Sequence, residues 1–253
     1  MHRSRSRFVP VIQLVRSLRP DIADPAKTIA ERRLLVDDRF VTNPRALVRA
    51  GAPVTLEPVR KLRGEDKLRV ALDGFAIDVR DRVCLDIGAS AGGFTRVLIE
   101  RGARRVFALD VGFGQLRGDL RSHSRVVNLE RTNIAALAAS PVRCTRVDVV
   151  TMDLSYLSIA DAVPQLEAIR IAPDANLVAL VKPMYELGLA SPPQDERSIL
   201  AALEAARRGI EAACRWRVTG SLPSPVTGSR GARELLLHAG RSNETAVGVS
   251  VRP

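Results

Sequence analysis

Asp86-Ile-Gly88-Ala-Ser90-Ala-Gly92-Gly93-Phe94-Thr95 decides the fold of this 253-residue chain. It follows a strand-like stretch, Arg82-Val-Cys-Leu85, and leads into a helix beginning near Gly93. The next strand-like stretch, Val106-Phe-Ala-Leu-Asp110, again ends in an acid. A strand, a glycine turn, a helix and a second strand closed by a carboxylate form a nucleotide pocket. The glycines let backbone approach the ligand, and the second acid accepts hydrogen bonds from ribose hydroxyls. Asp86 narrows the choice of ligand. A carboxylate there repels the pyrophosphate of a dinucleotide and attracts a cation, so S-adenosyl-L-methionine, with its ammonium and sulfonium, fits better than NAD. Other spellings stay open. Gly88, Ser90 and Gly93 in register make a dinucleotide fingerprint with serine at its second glycine. Gly88-Ala-Ser90-Ala-Gly92 spells a nucleophile elbow, although little chain precedes it and His238 is the sole late histidine. A strand-turn-helix without a ligand is the fourth reading.

Outward from the turn, apolar runs alternate with helical stretches, the pattern of a parallel sheet. Strands are predicted near 82–87, 105–110, 125–129, 146–152 and 175–181, and helices near 93–102, 114–121, 132–139, 158–170 and 195–213. Arg215–Ser221 and Glu234–Ala239 then read as two strands joined by a loop rich in Pro, Gly and Ser, with no helix between them. The expected fold is therefore α/β, a class I Rossmann-like methyltransferase layout whose seven-stranded, mostly parallel sheet ends in a hairpin. Ahead of it, residues 1–60 read as a small α+β domain. Its helices are expected over Val11–Leu18 and Ala26–Leu34, its strands around Leu35-Val and Val54-Thr-Leu, and a turn at Asp37-Asp. Residues 61–65 form a charged connector, a helix runs from about Asp66 to Ile77, the catalytic domain spans 66–242, and 243–253 form a tail.

Net charge is +11 and uneven. Residues 1–69 carry 16 Lys/Arg against 8 Asp/Glu, whereas the remainder carries 23 against 20. A basic module ahead of a near-balanced domain suggests a polyanion partner, nucleic acid first; an arginine-rich genome is the alternative. The basic residues comprise 35 arginines and only four lysines, Lys27, Lys61, Lys67 and Lys182. A lysine surviving in such a composition is a candidate for work arginine cannot do, such as accepting a proton. Lys182 follows the apolar run Leu177–Val181, at the sheet edge where α/β active sites lie. No apolar run approaches a membrane span and the N-terminus lacks a signal core, so a cytoplasmic protein without a membrane partner is expected. Cys84, Cys144 and Cys214, widely spaced, read as small core residues, with no metal site.

These words resemble TlyA-type proteins, an FtsJ-like group of RNA ribose 2′-O-methyltransferases with an N-terminal S4 RNA-binding domain. The resemblance rests on Arg63-Gly-Glu-Asp-Lys67-Leu, Cys84–Thr95, Ala108–Leu116, Leu129-Glu-Arg-Thr-Asn133, Met152-Asp-Leu-Ser-Tyr156, Leu180-Val-Lys-Pro183 and Ser224–Gly228 with Glu234, in the family's order. It implies an S-adenosyl-L-methionine cofactor, a structured RNA partner, ribosomal RNA above all, and a catalytic tetrad at Lys67, Asp153, Lys182 and Glu234. Lys182 would be the base, Asp153 would position it, and Glu234 would hold Lys67 or the ribose. Asp86, Gly88, Ser90, Gly92, Gly93, Phe94, Asp110 and Asn133 are the implied cofactor contacts. The chain departs from the pattern at Glu65 and Asp66, which add acids beside Lys67, at Ala232, and after Lys182, where Met184-Tyr-Glu-Leu-Gly-Leu replaces a longer basic loop. The N-terminal segment matches S4 loosely, with Asp21-Ile22 and Arg32 at departing positions. The competing functions are a methyltransferase for a small molecule or protein and a non-catalytic RNA-binding protein; a pore-former ranks last.

Overall fold

The computed structural model describes residues 7–31, 33–57, 61–213 and 215–241; the expectations for Arg32, Cys214 and the tail lie outside these. Two compact units emerge. One is the N-terminal segment through Lys61 together with Arg117–His123, and the other is Leu62–Leu116 with the chain from Ser124 onward.

In the N-terminal unit, β1 (Phe8–Pro10) pairs antiparallel with β4 (Leu47–Arg49), and β2 (Leu34–Val36) lies between β3 (Arg39–Phe40) and β5 (Val54–Leu56). Helices α1 (Val11–Leu18) and α2 (Pro25–Ala30) complete its core, where Val11, Leu14, Val15, Ile29 and Leu34 are buried. The second helix ends before its predicted limit because Leu34 is recruited into β2, opposite Leu56. The Asp37-Asp38 turn takes left-handed φ values of 49° and 58°, the twist a tight hairpin needs. The helix predicted over 114–121 shrinks to α5 (Gly118–Arg121) and groups with this unit, where Arg117 Nη2 donates to Glu31 O at 3.1 Å.

The second unit is a seven-stranded sheet in the order β11-β12-β10-β9-β6-β7-β8. Its strands are β6 (Val83–Ile87), β7 (Arg105–Leu109), β8 (Val126–Leu129), β9 (Val147–Met152), β10 (Ile171–Val181), β11 (Trp216–Pro223) and β12 (Leu235–Arg241). Only β12 runs against its neighbours. Every residue of β6 is buried, as a central strand covered on both faces requires. The helices are α3 (Arg63–Gly74), α4 (Gly93–Glu100), α6 (Ile159–Ala162), α7 (Pro183–Glu186) and α8 (Glu196–Ala212). α3 starts inside the expected connector because Glu65 closes its first turn, Oε1 accepting from Leu62 N–H at 3.1 Å. The helices predicted over 132–139 and 158–170 are largely 3₁₀ turns, at Ile134–Ala139 and Val163–Ala168. Cys84 is buried in β6 but Cys144 is exposed, so the latter is no core residue. No described helix is long and apolar enough to cross a membrane.

This topology gathers the loops after β6, β7, β9 and β10 at the carboxyl edge of the sheet, where ligands of open α/β sheets bind.

Candidate functional site

Backbone builds the turn after β6. Gly88 has φ +83°, and a Cβ there would collide with the carbonyl oxygen of Asp153 at the end of β9. Ser90 (φ +46°) and Gly92 (φ +95°, the N-cap of α4) continue the turn. Asp110, just past β7, clamps it. Its Oδ2 accepts from Ser90 N–H at 2.7 Å and its Oδ1 from Gly112 N–H at 2.7 Å. Gly88→Ala combines left-handed strain with a backbone clash and is expected to cost about 3 kcal/mol. Thermal melting should fall by roughly 10 °C; an unchanged melting temperature would contradict this account of the turn.

Around the turn lies a cleft walled by Gly88, Ser90, Asp110, Asp153 and Ser155, with Leu109, Leu154 and Tyr156 as apolar surface and Val111 and Gln115 at its side. Its charged side chains are two carboxylates, Asp110 and Asp153, the latter paired with a lysine from the neighbouring strand end. That donor set suits a cationic ligand with hydroxyls and an apolar ring, as S-adenosylmethionine is, and disfavours a pyrophosphate.

Asp86 is not on that wall. It is fully buried in β6, where Thr95 Oγ1 donates to Oδ2 at 2.6 Å and Thr151 Oγ1 to Oδ1 at 2.9 Å. Burial pushes its carboxyl up to about 6, against the two hydroxyls that favour the charged form. Asp86 therefore ties α4 and β9 to the central strand, and the preference for a cation rests on Asp153 and Asp110 instead. Gly93 and Phe94 also turn from the cleft. A Cβ on Gly93 would sit 3.0 Å from Gly64 Cα, so this glycine permits the approach of α3 to α4, and Phe94 packs beside Gly64. Asn133 is exposed and caps a 3₁₀ turn, its Oδ1 accepting from Ala135 N–H at 3.0 Å.

A second cleft adjoins the first through Ser155. It is lined by Lys182, Pro183, Met184, Tyr185, Pro192, Ser229, Arg230, Ala232 and Glu234. Lys182, at the end of β10, bridges the two walls. Its Nζ lies 2.6 Å from Asp153 Oδ1 and donates to Ser155 Oγ at 2.8 Å. Glu234, on the same wall, accepts at Oε2 from Lys67 Nζ of α3 at 2.6 Å, with side-chain exposures of 7% for Lys67 and 4% for Glu234. The tetrad thus forms two ion pairs, with Lys182 and Glu234 on one wall. The departing acid Glu65 is buried and serves the fold: besides capping α3 it pairs with Arg69 at 3.3 Å and Arg96 at 3.7 Å. Ser155 and Arg230 also line these clefts, and the sequence alone does not single them out. Ser155 could have been found from its place two residues after Asp153, beyond a strand end; Arg230 gives no such signal in an arginine-rich chain.

The sheet order, with its single reversed strand, the glycine turn after β6 and the acid after β7 define a class I, S-adenosylmethionine-dependent methyltransferase fold. Residues 61–241 match the FtsJ-like methyltransferase family, and the chain belongs to it. The 16S/23S rRNA (cytidine-2′-O)-methyltransferase TlyA of Mycobacterium tuberculosis is 45% identical over 184 residues, 69% of this chain and 66% of TlyA. YqxC of Bacillus subtilis, described as a candidate rRNA methyltransferase, is 34% identical over 197 residues, 74% of this chain and 68% of that protein. Among solved structures, a candidate hemolysin from Lactococcus lactis has a TM-score of 0.68 at 32% identity, covering 74% of this chain and 91% of that one. The matched region thus spans just under two thirds of TlyA.

Proposed function

We propose that this protein transfers a methyl group from S-adenosylmethionine to a ribose 2′-hydroxyl of ribosomal RNA. The observation that carries the reading is Lys182 set between two adjoining clefts, paired with Asp153 on the donor side and lining the other. The names of the relatives support the choice of RNA. The donor supplies an electrophilic methyl group; the residues described here do the rest. A ribose hydroxyl is a poor nucleophile until its proton leaves. Asp153 and Ser155 occupy two of the three positions around Lys182 Nζ. The third is an N–H on the ammonium and a lone pair on the amine. In the amine form it accepts the 2′-hydroxyl proton as the oxygen–methyl bond forms and the methyl–sulfur bond breaks, its electron pair staying on sulfur. Asp153 and Ser155 hold the nitrogen in place, and Glu234 orients Lys67 and the ribose. Such a substrate places the protein with ribosomes in the cytoplasm, and the arginine-rich N-terminal segment is suited to shape-directed, salt-sensitive RNA contact.

The test incubates the protein with methyl-labelled donor and ribosomal subunits, then hydrolyses the RNA in alkali. A 2′-O-methyl blocks cleavage at its own nucleotide, so label should persist in alkali-resistant dinucleotides. Label in mononucleotides, in protein or nowhere would overturn the reading.

Arg230 sharpens it. This exposed guanidinium lines the acceptor cleft from a left-handed backbone position (φ 56°) four residues before Glu234. A phosphate contact there predicts that Arg230→Ala raises the RNA KM roughly tenfold at unchanged kcat. The log–log salt dependence should become shallower by about one.

A further inference from the structure

Glu186 stands outside every role assigned so far, yet its carboxylate is embedded beside the site. It ends α7, the single turn that follows Lys182, and its own N–H donates to Lys182 O at 3.2 Å. Its side chain crosses to another loop, where Oε1 accepts from Ile159 N–H at 2.7 Å at the start of α6. The loop leading into α6 carries Asp153 and Ser155, the two partners of Lys182. Two bonds therefore cross-link the same pair of loops: Lys182–Asp153 at the reacting edge, and Glu186–Ile159 behind it. The other oxygen, Oε2, is buried and makes no hydrogen bond of good geometry among the described residues, although Ala160 N–H lies near the carboxylate. Burial, with Asp161 adding like charge, pushes the carboxyl up to about 7, although backbone N–H groups of Ile159 and Ala160 favour the ionised form. A carboxylate held at such cost calls for a reason beyond filling space.

We propose that Glu186 is a positioning residue for methyl transfer, a latch that fixes the β10–α7 loop to the β9–α6 loop and so sets Lys182 against Asp153 and Ser155. The latch works through an acceptor oxygen at the right reach and not through negative charge. The inference rests on the proposed reading of Lys182 as base, and the two can fail separately.

Three variants test it. Glu186→Gln keeps an oxygen for Ile159 N–H and should retain kcat within about threefold. Glu186→Ala loses the acceptor, and Glu186→Asp withdraws it by one methylene. Both should lower kcat by on the order of a hundredfold, because displacement of a reacting group by about 1 Å costs that much. Affinity for S-adenosylmethionine, measured by calorimetry, should fall far less than kcat, since Glu186 is not on the donor cleft and reaches it only through the loop that carries Asp153 to Tyr156. Amide hydrogen exchange over residues 155–160 and 183–189 should quicken in the Ala and Asp variants and not in Gln. Normal kcat in Glu186→Asp or Glu186→Ala would overturn the latch, as would equal losses in Gln and Asp. If Ala does not fold, the Gln–Asp contrast still decides. If the wild type methylates no RNA, the functional reading fails, and hydrogen exchange alone judges whether Glu186 joins the loops.

Discussion

Replacing Lys182 with arginine is expected to remove methyl transfer, lowering kcat by roughly 10²–10⁴-fold while leaving donor affinity intact. Arginine preserves the positive charge and can still pair with Asp153, so the two loops it joins keep their link. What it cannot do is release a proton at any pH a protein survives. The substitution thus separates two jobs that lysine combines, electrostatic partner and proton acceptor. Lys182→Met removes both and serves as the comparison. If the charge alone matters, by steering the donor or holding Asp153, arginine should retain most of the activity that methionine loses. If proton acceptance matters, both should be inactive to a similar degree. Single-turnover methylation of ribosomal subunits, with donor binding measured on the same preparations, reads the difference. Activity in Lys182→Arg equal to wild type would eliminate Lys182 as base and leave Asp153 or solvent to take the proton.

The elements that position this lysine were legible because burial on both sheet faces demands unbroken apolar runs. Cys84-Leu-Asp-Ile and Leu177–Val181 admit few readings other than interior strands, and their carboxyl ends locate Lys182 and the turn at Gly88. The two lysines at the site stood out for a different reason, the near-absence of lysine elsewhere. What could not be read was the direction in which a side chain points once its backbone is placed. Asp86 sits at the head of the glycine turn, but strand alternation combined with Thr95 and Thr151 turns its carboxylate inward. Gly93 and Phe94 belong to the same motif, yet their neighbours come from Gly64 on a helix that sequence distance hides. Asn133 follows a strand as a ligand-binding residue does, and also as a cap does; its Oδ1 accepts from Ala135 N–H. The short Arg117–His123 segment, lying between two catalytic strands, groups with the N-terminal unit through contacts to Ala30 and Glu31. Asp86, Gly93 and Phe94 thus take contacts from residues remote in sequence. What the sequence makes legible depends on periodicity, composition or motif order along the chain itself.

Removing one member of the Lys67–Glu234 pair should damage stability and activity together, and removing both should part them. The two side chains are almost wholly enclosed, and the 2.6 Å contact leaves each charge dependent on the other. Glu234→Ala strands an ammonium away from water, which costs about 3–5 kcal/mol. In a unit of this size that should lower the melting temperature by about 10 °C. Lys67→Met strands the carboxylate instead, with a loss of similar size. A double variant, Lys67→Met with Glu234→Met, replaces the pair with apolar side chains of comparable volume, and buried pairs replaced in this way are commonly as stable as the original. Its melting temperature should return to near the wild-type value. Methyl transfer should not return, because Glu234 lines the acceptor cleft and its carboxylate goes with the pair. Thermal melts and methylation assays on the same four proteins give the result directly. A double variant that regains stability and activity together would make the pair a device of the fold alone, leaving Lys182 and Asp153 to carry the chemistry. One that regains neither would mean that the surrounding core cannot accept apolar groups there, and would place the value of the pair in the geometry it imposes on α3 and β12.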